Sequence, residues 1–322
     1  MVAQPLLSTG NQEMTSILHC GDEERGTLWR DIFAREMPEV DFRCWPDLGD
    51  AKEIRFLVAW TLTPELIASL PNLEVLFSIG AGVDQLDLSL VPPHVRVVRM
   101  IEPGITVTMA QYIVMAALAL HRDLPFYLAE QRAGRWTQRD VLLCSERTVG
   151  FLGLGELARA SIQALRPLGF NLLGWSRSGA DIEGVETYAG PDGLDPFLAR
   201  CEILVCLLPL TEETRGILCR KLFDRLPRGA AIINAARGGH LIAEDLCAAL
   251  DEGQLSAAFL DVANPEPLPQ GHPFYSHPAI FLTPHIAGVT RRETAVHSLI
   301  ANLRRVLKGE EPDGEVDRAR GY

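Results

Sequence analysis

TVGFLGLGELARASIQALRPLGFNLLGWSRS, running from Thr148 to Ser178, reads as a short apolar strand, a glycine turn, a helix and a second strand. The turn spells G-x-G-x-x-A, with Gly153, Gly155 and Ala158 at the three small positions. Each small residue has a separate job. Gly153 permits the tight turn, and Gly155 lets the backbone approach a diphosphate. Ala158 lets the helix pack closely on the strand. The segment Gly153-Leu154-Gly155-Glu156-Leu157 then opens a helix, whose first amides and dipole favour negative charge. The motif alone is weak. Its place between a strand and a helix of fitting length makes it a dinucleotide-binding turn.

The end of the second strand qualifies that reading. An acid there would accept from a ribose 2′-hydroxyl and repel a 2′-phosphate. This chain has Trp175, Ser176 and Arg177 instead. A hydroxyl and a guanidinium can hold a phosphate, which Arg pairs bidentately. The strand end therefore predicts a preference for NADP(H), with NAD(H) still possible.

The alternation continues on the C-terminal side. CEILVCLLPL, AAIINAARGG, SAAFLDVAN and IFLTPHIA read as strands, with helical IAEDLCAALDEG among them. Near-continuous apolar strands belong to a parallel sheet covered on both faces. About six parallel strands are expected in this half. On the N-terminal side, KEIRFLVAW reads as a strand and TPELIASLP as a helix capped by Thr63. NLEVLFSIGAGVDQLD reads as strand, glycine turn and helix start. Helical runs are expected from Thr106 to His121 and from Arg291 to Lys308, and the polar tail DGEVDRARGY reads as disordered.

Composition narrows the class. The 322 residues suffice for two domains, and 47% apolar with 22% charged content is ordinary for a globular protein. A formal charge of −12 disfavours nucleic acid and anionic membrane as partners. The seven cysteines form no C-x-x-C pair, so small buried thiols in a reducing, cytoplasmic compartment are expected. MVAQPLLSTGNQEMTS lacks the basic start and apolar core of a signal peptide. Thr108 to Leu120 is too short a stretch to span a bilayer. No His/Cys spacing suggests a metal, and no G-x-S-x-G suggests a hydrolase.

Ligands of a doubly wound sheet bind beyond the carboxyl ends of its strands. The residues expected there are Pro209-Leu210-Thr211, and then Arg237, Asp261, Glu266 and His285. His285 can give or take a proton near neutral pH. Glu266 can hold its imidazole and stabilise the charged form. Arg237 can bind and polarise a 2-oxo carboxylate, and Asp261 can accept from a carboxamide. His240, just after Arg237, reads equally well as site lining or as filler. His19, His94, His121, His272, His277 and His297 carry no partner pattern and read as surface residues.

At this point the residues resemble the D-isomer-specific 2-hydroxyacid dehydrogenases. The blocks are Gly80-Ala81-Gly82-Val83-Asp84, Leu208 to Gly216, Asn234-Ala235-Ala236-Arg237-Gly238, Leu260 to Pro267, and Thr283-Pro284-His285. The Trp-Ser-Arg strand end with Trp45 and Trp60 looks most like the glyoxylate/hydroxypyruvate reductase A branch. The resemblance implies an α/β chain of two doubly wound parallel-sheet domains. A Rossmann-type cofactor domain (100–286) would be inserted in a flavodoxin-like substrate domain (1–99 with 287–322). It implies Arg237 on the substrate carboxylate and carbonyl, His285 as the acid in reduction, and Glu266 as its orienting partner. The Ala81, Gly82 and Val83 amides would take the far side of the carboxylate. Thr214, Ala235 and Gly288 would join the cofactor contacts.

The expected activity is NADPH-dependent reduction of glyoxylate and hydroxypyruvate. Trp45 and Trp60 read either as pocket lining that limits substrate size or as core or hinge packing. The alternatives are an NAD-linked relative acting on phosphoglycerate or a bulkier 2-hydroxy acid, and a cofactor-sensing corepressor-like binding protein. A formate-oxidising relative would pair the histidine with a glutamine, and here the partner is Glu266. Members are commonly homodimers joined through the cofactor domain, with His121 to Asp140 as the expected arm.

Overall fold

The computed structural model describes residues 15–318. In chain order the first elements are β1 (Thr15–Cys20), α1 (Glu23–Glu36), β2 (Val40–Cys44), β3 (Ile54–Ala59), α2 (Pro64–Ala68), β4 (Val75–Ser78) and β5 (Arg96–Val98). Next come α3 (Pro103–His121), α4 (Leu124–Arg132), β6 (Thr148–Leu152), α5 (Glu156–Leu165), β7 (Asn171–Ser176), β8 (Glu186–Ala189) and α6 (Gly190–Leu198). The last are β9 (Ile203–Cys206), α7 (Arg220–Phe223), β10 (Ala230–Asn234), α8 (Ala243–Asp251), β11 (Leu255–Leu260), β12 (Ile280–Leu282) and α9 (Arg292–Leu307). The chain divides into two compact units, 1–102 with 290–322, and 103–289.

The first unit holds a parallel five-stranded sheet in the order β2-β1-β3-β4-β5. The strand order reverses at β1, as in a doubly wound sheet. Local chemistry starts its helices. Asp22 caps α1 by accepting from the Arg25 amide at 2.9 Å, with Glu23 and Glu24 in the first turn. Thr63 caps α2 from the Leu66 amide at 3.2 Å. Helix α9 returns to this unit, and the Trp29 indole of α1 donates to the Arg292 carbonyl at 2.8 Å. It ends at Leu307 with Lys308 as its C-cap, and Gly309 follows at a φ of +76° that suits glycine.

The second unit holds a parallel seven-stranded sheet in the order β12-β11-β10-β9-β6-β7-β8. Strands β9 and β10 are buried along their whole length, because helices cover both faces. Helix α3 packs on α5 through Met109, Ile113, Ala116, Ala117 and Leu120, which cluster with Ala158, Ile162 and Leu165. It is longer than the apolar stretch from Thr108 to Leu120. Its 19 residues are long and apolar enough to cross a membrane by length and composition. The buried stripe makes it a core helix of this unit.

Several sequence expectations are corrected. The helix expected after Gly80-Ala81-Gly82 does not form: turns lead to a single short 3-10 turn at Leu88–Leu90, capped by Asp87. The parallel series has seven strands rather than six. Glu186–Ala189 is a partly exposed edge strand, too short and too polar to show as an apolar run. The tail is ordered as far as it is described. Glu315 bridges to Val98, Val316 is buried, and Arg318 donates to the Leu88, Val91 and Pro92 carbonyls. The remaining tail residues 319–322, like the N-terminal segment 1–14 read against a signal peptide, lie outside the described residues.

His19 and His121 are buried, not on the surface. His19 lies between Trp29 and Phe42, and burial lowers its pKa to about 4, so it stays neutral. All seven cysteines are free thiols. Cys201 and Cys206 are fully buried, and burial pushes the Cys206 thiol up to about 12. Such a thiol is inert.

Candidate active site

The order of the second sheet decides what lies side by side. Strands β10, β11 and β12 are consecutive neighbours, and their carboxyl ends lead to Arg237, Asp261 and His285 respectively. Because the strands are parallel, all three residues lie on one edge of the sheet.

Two acids hold His285. The Glu266 carboxylate contacts the imidazole Nδ1 at 2.8 Å, and its other oxygen accepts from the Ala263 amide at 2.9 Å. Nδ1 therefore carries a proton toward Glu266, which leaves Nε2 to exchange one with a substrate. The second acid is Asp261, only 1% exposed. Its carboxylate accepts from the Thr283 hydroxyl at 2.6 Å and from the Ile286 and Ala287 amides at 2.9 and 2.8 Å. Its carbonyl accepts from the His285 amide at 2.8 Å. These bonds tie down a backbone that would otherwise relax, because His285 has a φ of +55°. A left-handed non-glycine residue costs on the order of 1–3 kcal/mol and persists where its surroundings over-determine it.

Tyr112 of α3 extends the network, with its hydroxyl 2.8 Å from that of Thr283. Burial, first among the causes, pushes the Tyr112 phenol up to about 12, so it stays protonated and donates. Asp261 is thus firmly engaged by its own loop. Its carboxylate keeps lone pairs for a further donor.

Arg237 sits on a loop pinned from several sides. The Asn234 side chain accepts from the Ala236 amide at 3.2 Å and donates to the Arg237 carbonyl at 3.1 Å. Gly238 lies against the segment that carries Glu266, and a Cβ there would stand 1.9 Å from the Ala263 carbonyl oxygen. Only glycine permits that approach. His240 is fully buried, with its ring nitrogens 3.1 Å from the Arg237 carbonyl and 3.2 Å from the Pro209 carbonyl. Pro209 also accepts from the Thr214 hydroxyl at 2.7 Å. His240 therefore joins the Arg237 loop to the loop after β9, beyond Leu208.

The glycine turn follows β6. Gly153 has a φ of +94°, and a Cβ there would stand 3.0 Å from the Leu207 carbonyl oxygen. No heavy atom lies within 4 Å of where a Gly155 Cβ would be. The amides of Leu154, Gly155 and Leu157 have no acceptor among the described residues. At the end of β7 the Ser176 hydroxyl is shielded and has no partner among the described residues. An open cradle, unmet amides and an orphaned hydroxyl fit a dinucleotide, whose diphosphate needs donors. Ala235 is buried beyond β10, and Gly288 lies against Met109 and Ile105. Among the described residues no cluster of His, Cys, Asp or Glu could hold a metal.

The other expected site residues belong to the first unit. The Ser78 hydroxyl and the Gln85 amide both donate to the Gly82 carbonyl, at 2.9 and 3.2 Å. That fixes the turn, and the amides of Ala81, Gly82 and Val83 have no acceptor among the described residues. Trp45 and Trp60 follow β2 and β3 and are 44% and 42% exposed, so neither is a core residue. The Trp60 ring covers Gly80, where a Cβ would stand 2.6 Å away.

Sequence reasoning misses Tyr112, Thr283 and Asn234 as supports, and leaves His240 undecided. Thr283 and Asn234 stand inside the family-like blocks, so a signal exists for them. Tyr112 has none, because it lies 171 residues from its partner.

Known proteins match this arrangement. Residues 114–287 match the family described as D-isomer specific 2-hydroxyacid dehydrogenase, NAD binding domain. Over 300 residues the chain is 37% identical to glyoxylate/hydroxypyruvate reductase A of Yersinia enterocolitica, covering 91% of this chain and 96% of the relative. A D-isomer specific 2-hydroxyacid dehydrogenase from Xanthobacter autotrophicus Py2, solved with NADPH and MES, is similar with a TM-score of 0.90 and 35% identity, covering 96% of this chain and all of that one. An NADPH-dependent glyoxylate/hydroxypyruvate reductase from Sinorhizobium meliloti, solved with NADP and sulfate, is similar with a TM-score of 0.88 and 33% identity, at 96% and 100% coverage. The two parallel sheets, the glycine turn and the strand-end Arg, Glu and His thus stand in a chain that belongs to the D-isomer-specific 2-hydroxyacid dehydrogenases.

Proposed function

We propose that this chain reduces small 2-oxo acids, glyoxylate and hydroxypyruvate, to 2-hydroxy acids with NADPH. The observation that carries the reading is the 2.8 Å His285–Glu266 pair, formed between the chain after β12 and the chain after β11, the strand next to the one that leads to Arg237. When bound, the dihydronicotinamide supplies a hydride to the substrate carbonyl carbon. Arg237 holds the substrate carboxylate and polarises its carbonyl. His285 delivers a proton from Nε2 to the carbonyl oxygen as negative charge develops there. Glu266 holds the ring by Nδ1, with Nε2 turned to the exchange. The unmet amides of Ala81, Gly82 and Val83 are assigned to the carboxylate, and Trp45 and Trp60 to limiting the size of its side chain.

The cofactor contacts are assigned to Gly153, Leu154, Gly155, Glu156 and Leu157 at the diphosphate, and to Ser176 and Arg177 at the 2′-phosphate. Leu208, Pro209, Thr214, Ala235, Asp261 and Gly288 are assigned to the rest of the dinucleotide, together with Arg237 and His285. A spectrophotometric comparison of NADPH and NADH oxidation against a panel of 2-oxo acids tests the reading. Turnover on glyoxylate and hydroxypyruvate is expected. Activity confined to bulkier acids, or tight peptide binding without turnover, would overturn it.

The strand end makes its own prediction. Ser176→Asp with Arg177→Ala places an acid opposite the ribose and removes the guanidinium. The ratio of kcat/KM with NADPH to that with NADH is expected to fall about 10²-fold, since hydrogen bonds to charged groups are each worth about 1.5–3 kcal/mol. An unchanged ratio would defeat the coenzyme assignment.

The homodimer is assigned to the second unit. Trp136 is fully exposed, and Val141, Leu142 and Leu143, a few residues on in the chain, are exposed as well. Exposed large apolar side chains in one short stretch support an association surface there. Light scattering is expected to give twice the 35.5 kDa chain mass, and Trp136→Asp with Leu143→Asp should shift it toward the single chain. A monomeric parent protein would sink the assignment. The free thiols of all seven cysteines support a cytoplasmic location. Cell fractionation that found the protein outside the cytoplasm would contradict it.

A further inference from the structure

The sheet order places β6 between β9 and β7. The glycine turn at the end of β6 is therefore flanked by the loops that follow β9 and β7. Those two loops are joined. Arg177, just beyond β7, makes an ion pair with Glu213 of the β9 loop at 2.9 Å. The pair spans the edge of the sheet where the glycine turn opens.

The position of Glu213 is built rather than incidental. The Thr214 hydroxyl accepts from the Thr211 amide at 2.8 Å and donates to the Pro209 carbonyl at 2.7 Å. The Arg215 amide donates to the Thr211 carbonyl at 2.9 Å. The neighbouring acid, Glu212, is turned to Arg215 at 3.4 Å. The loop thus presents one carboxylate, that of Glu213, to the guanidinium at the end of β7.

We infer that Glu213 is a specificity-determining residue: it is the built-in counter-anion of Arg177, which a 2′-phosphate displaces, and it sets how strongly NADP(H) is preferred over NAD(H). The inference rests on the reading that Arg177 receives the 2′-phosphate. A phosphate monoester carries about −1.5 to −2 charges at neutral pH. It must take the guanidinium from a carboxylate already bound there, and it is repelled by that carboxylate at short range. A ribose with a free 2′-hydroxyl meets neither cost. It leaves the ion pair closed, and its hydroxyl finds in Glu213 an acceptor of the kind the strand end lacks. The acid missing from the end of β7 is in this sense supplied by the loop after β9, and it moderates the selectivity that Ser176 and Arg177 establish.

Isothermal titration of NADPH and NADH into the full chain tests this, with the parent protein, Glu213→Gln and Arg177→Ala side by side. Gln keeps the shape of the side chain and removes its charge. Both groups are exposed, with 57% and 73% of their side-chain surfaces accessible, so the effect is moderated by water. Glu213→Gln is expected to raise the ratio of the NADH Kd to the NADPH Kd by about 3- to 10-fold, as for a screened charge pair. The gain should shrink as salt is added. An unchanged or lower ratio would overturn the inference, a lower one because it would make Glu213 an aid to phosphate binding. Arg177→Ala reports separately on the underlying reading. It is expected to lower the ratio at least about 10-fold, and if it does not, the assignment of the 2′-phosphate to Arg177 falls instead.

Discussion

Replacing His285 with alanine is expected to lower kcat for glyoxylate reduction by about 10²- to 10⁴-fold, the range of a positioned proton donor. Nδ1 is engaged by Glu266 at 2.8 Å. That contact fixes the ring orientation and leaves Nε2 as the exchanging atom. Hydride addition to the carbonyl carbon puts a full negative charge on the carbonyl oxygen unless a proton arrives with it. Removing the donor exposes that cost in the transition state and not in the bound substrate, so kcat rather than KM carries the loss. Glu266→Gln should cost less, because the imidazole remains. Near-parental turnover by His285→Ala, with a melting curve like the parent's, would remove His285 from the chemistry.

Arg237→Ala is expected to lower kcat/KM by about 10²- to 10⁴-fold, because on the proposed reading it deletes two charge-assisted hydrogen bonds to the substrate worth about 1.5–3 kcal/mol each. One bond goes to the carboxylate, which is equally charged before and during reaction, and its loss raises KM. The other strengthens as charge develops on the carbonyl oxygen, and its loss lowers kcat. Both parameters should therefore move. Arg237→Lys should recover little, since a single ammonium cannot reproduce the planar fork. The loop itself should survive either change. It is held by Asn234, by the buried His240 and by the close approach of Gly238 to Ala263, and none of these uses the guanidinium. A steady-state comparison in which only KM rose would mean that Arg237 binds the carboxylate and leaves the carbonyl alone.

Much of this is legible in the amino-acid sequence. The turn at Gly153 and Gly155, the capped helix at Thr63, the apolar strands β9, β10 and β11, and the candidates Arg237, Glu266 and His285 are all local or blockwise features. Other features are not legible there. The edge strand β8 is only four residues long and half polar. The segment after Gly82 does not continue as a helix, because its turn is fixed by Ser78 and Gln85 instead. His19 and His121 read as surface residues because nothing adjacent in the chain marks the aromatic side chains that enclose them.

The order of residue types already carries the chemistry: a phosphate-cradling turn, a strand end without an acid, and an Arg, a Glu and a His placed just beyond apolar strands. Residue type and short-range spacing suffice for that, since turns, caps and strand ends are set by neighbours within a few positions. What meets what comes from the packed fold. It set Asp261 to hold the His285 backbone, His240 to join the Arg237 and Pro209 loops, Tyr112 to reach Thr283, and Glu213 to close on Arg177. These partners are brought together by the order of strands in a sheet. That order is a property of the packed whole, because parallel neighbours are linked through long crossovers and not through the local chain.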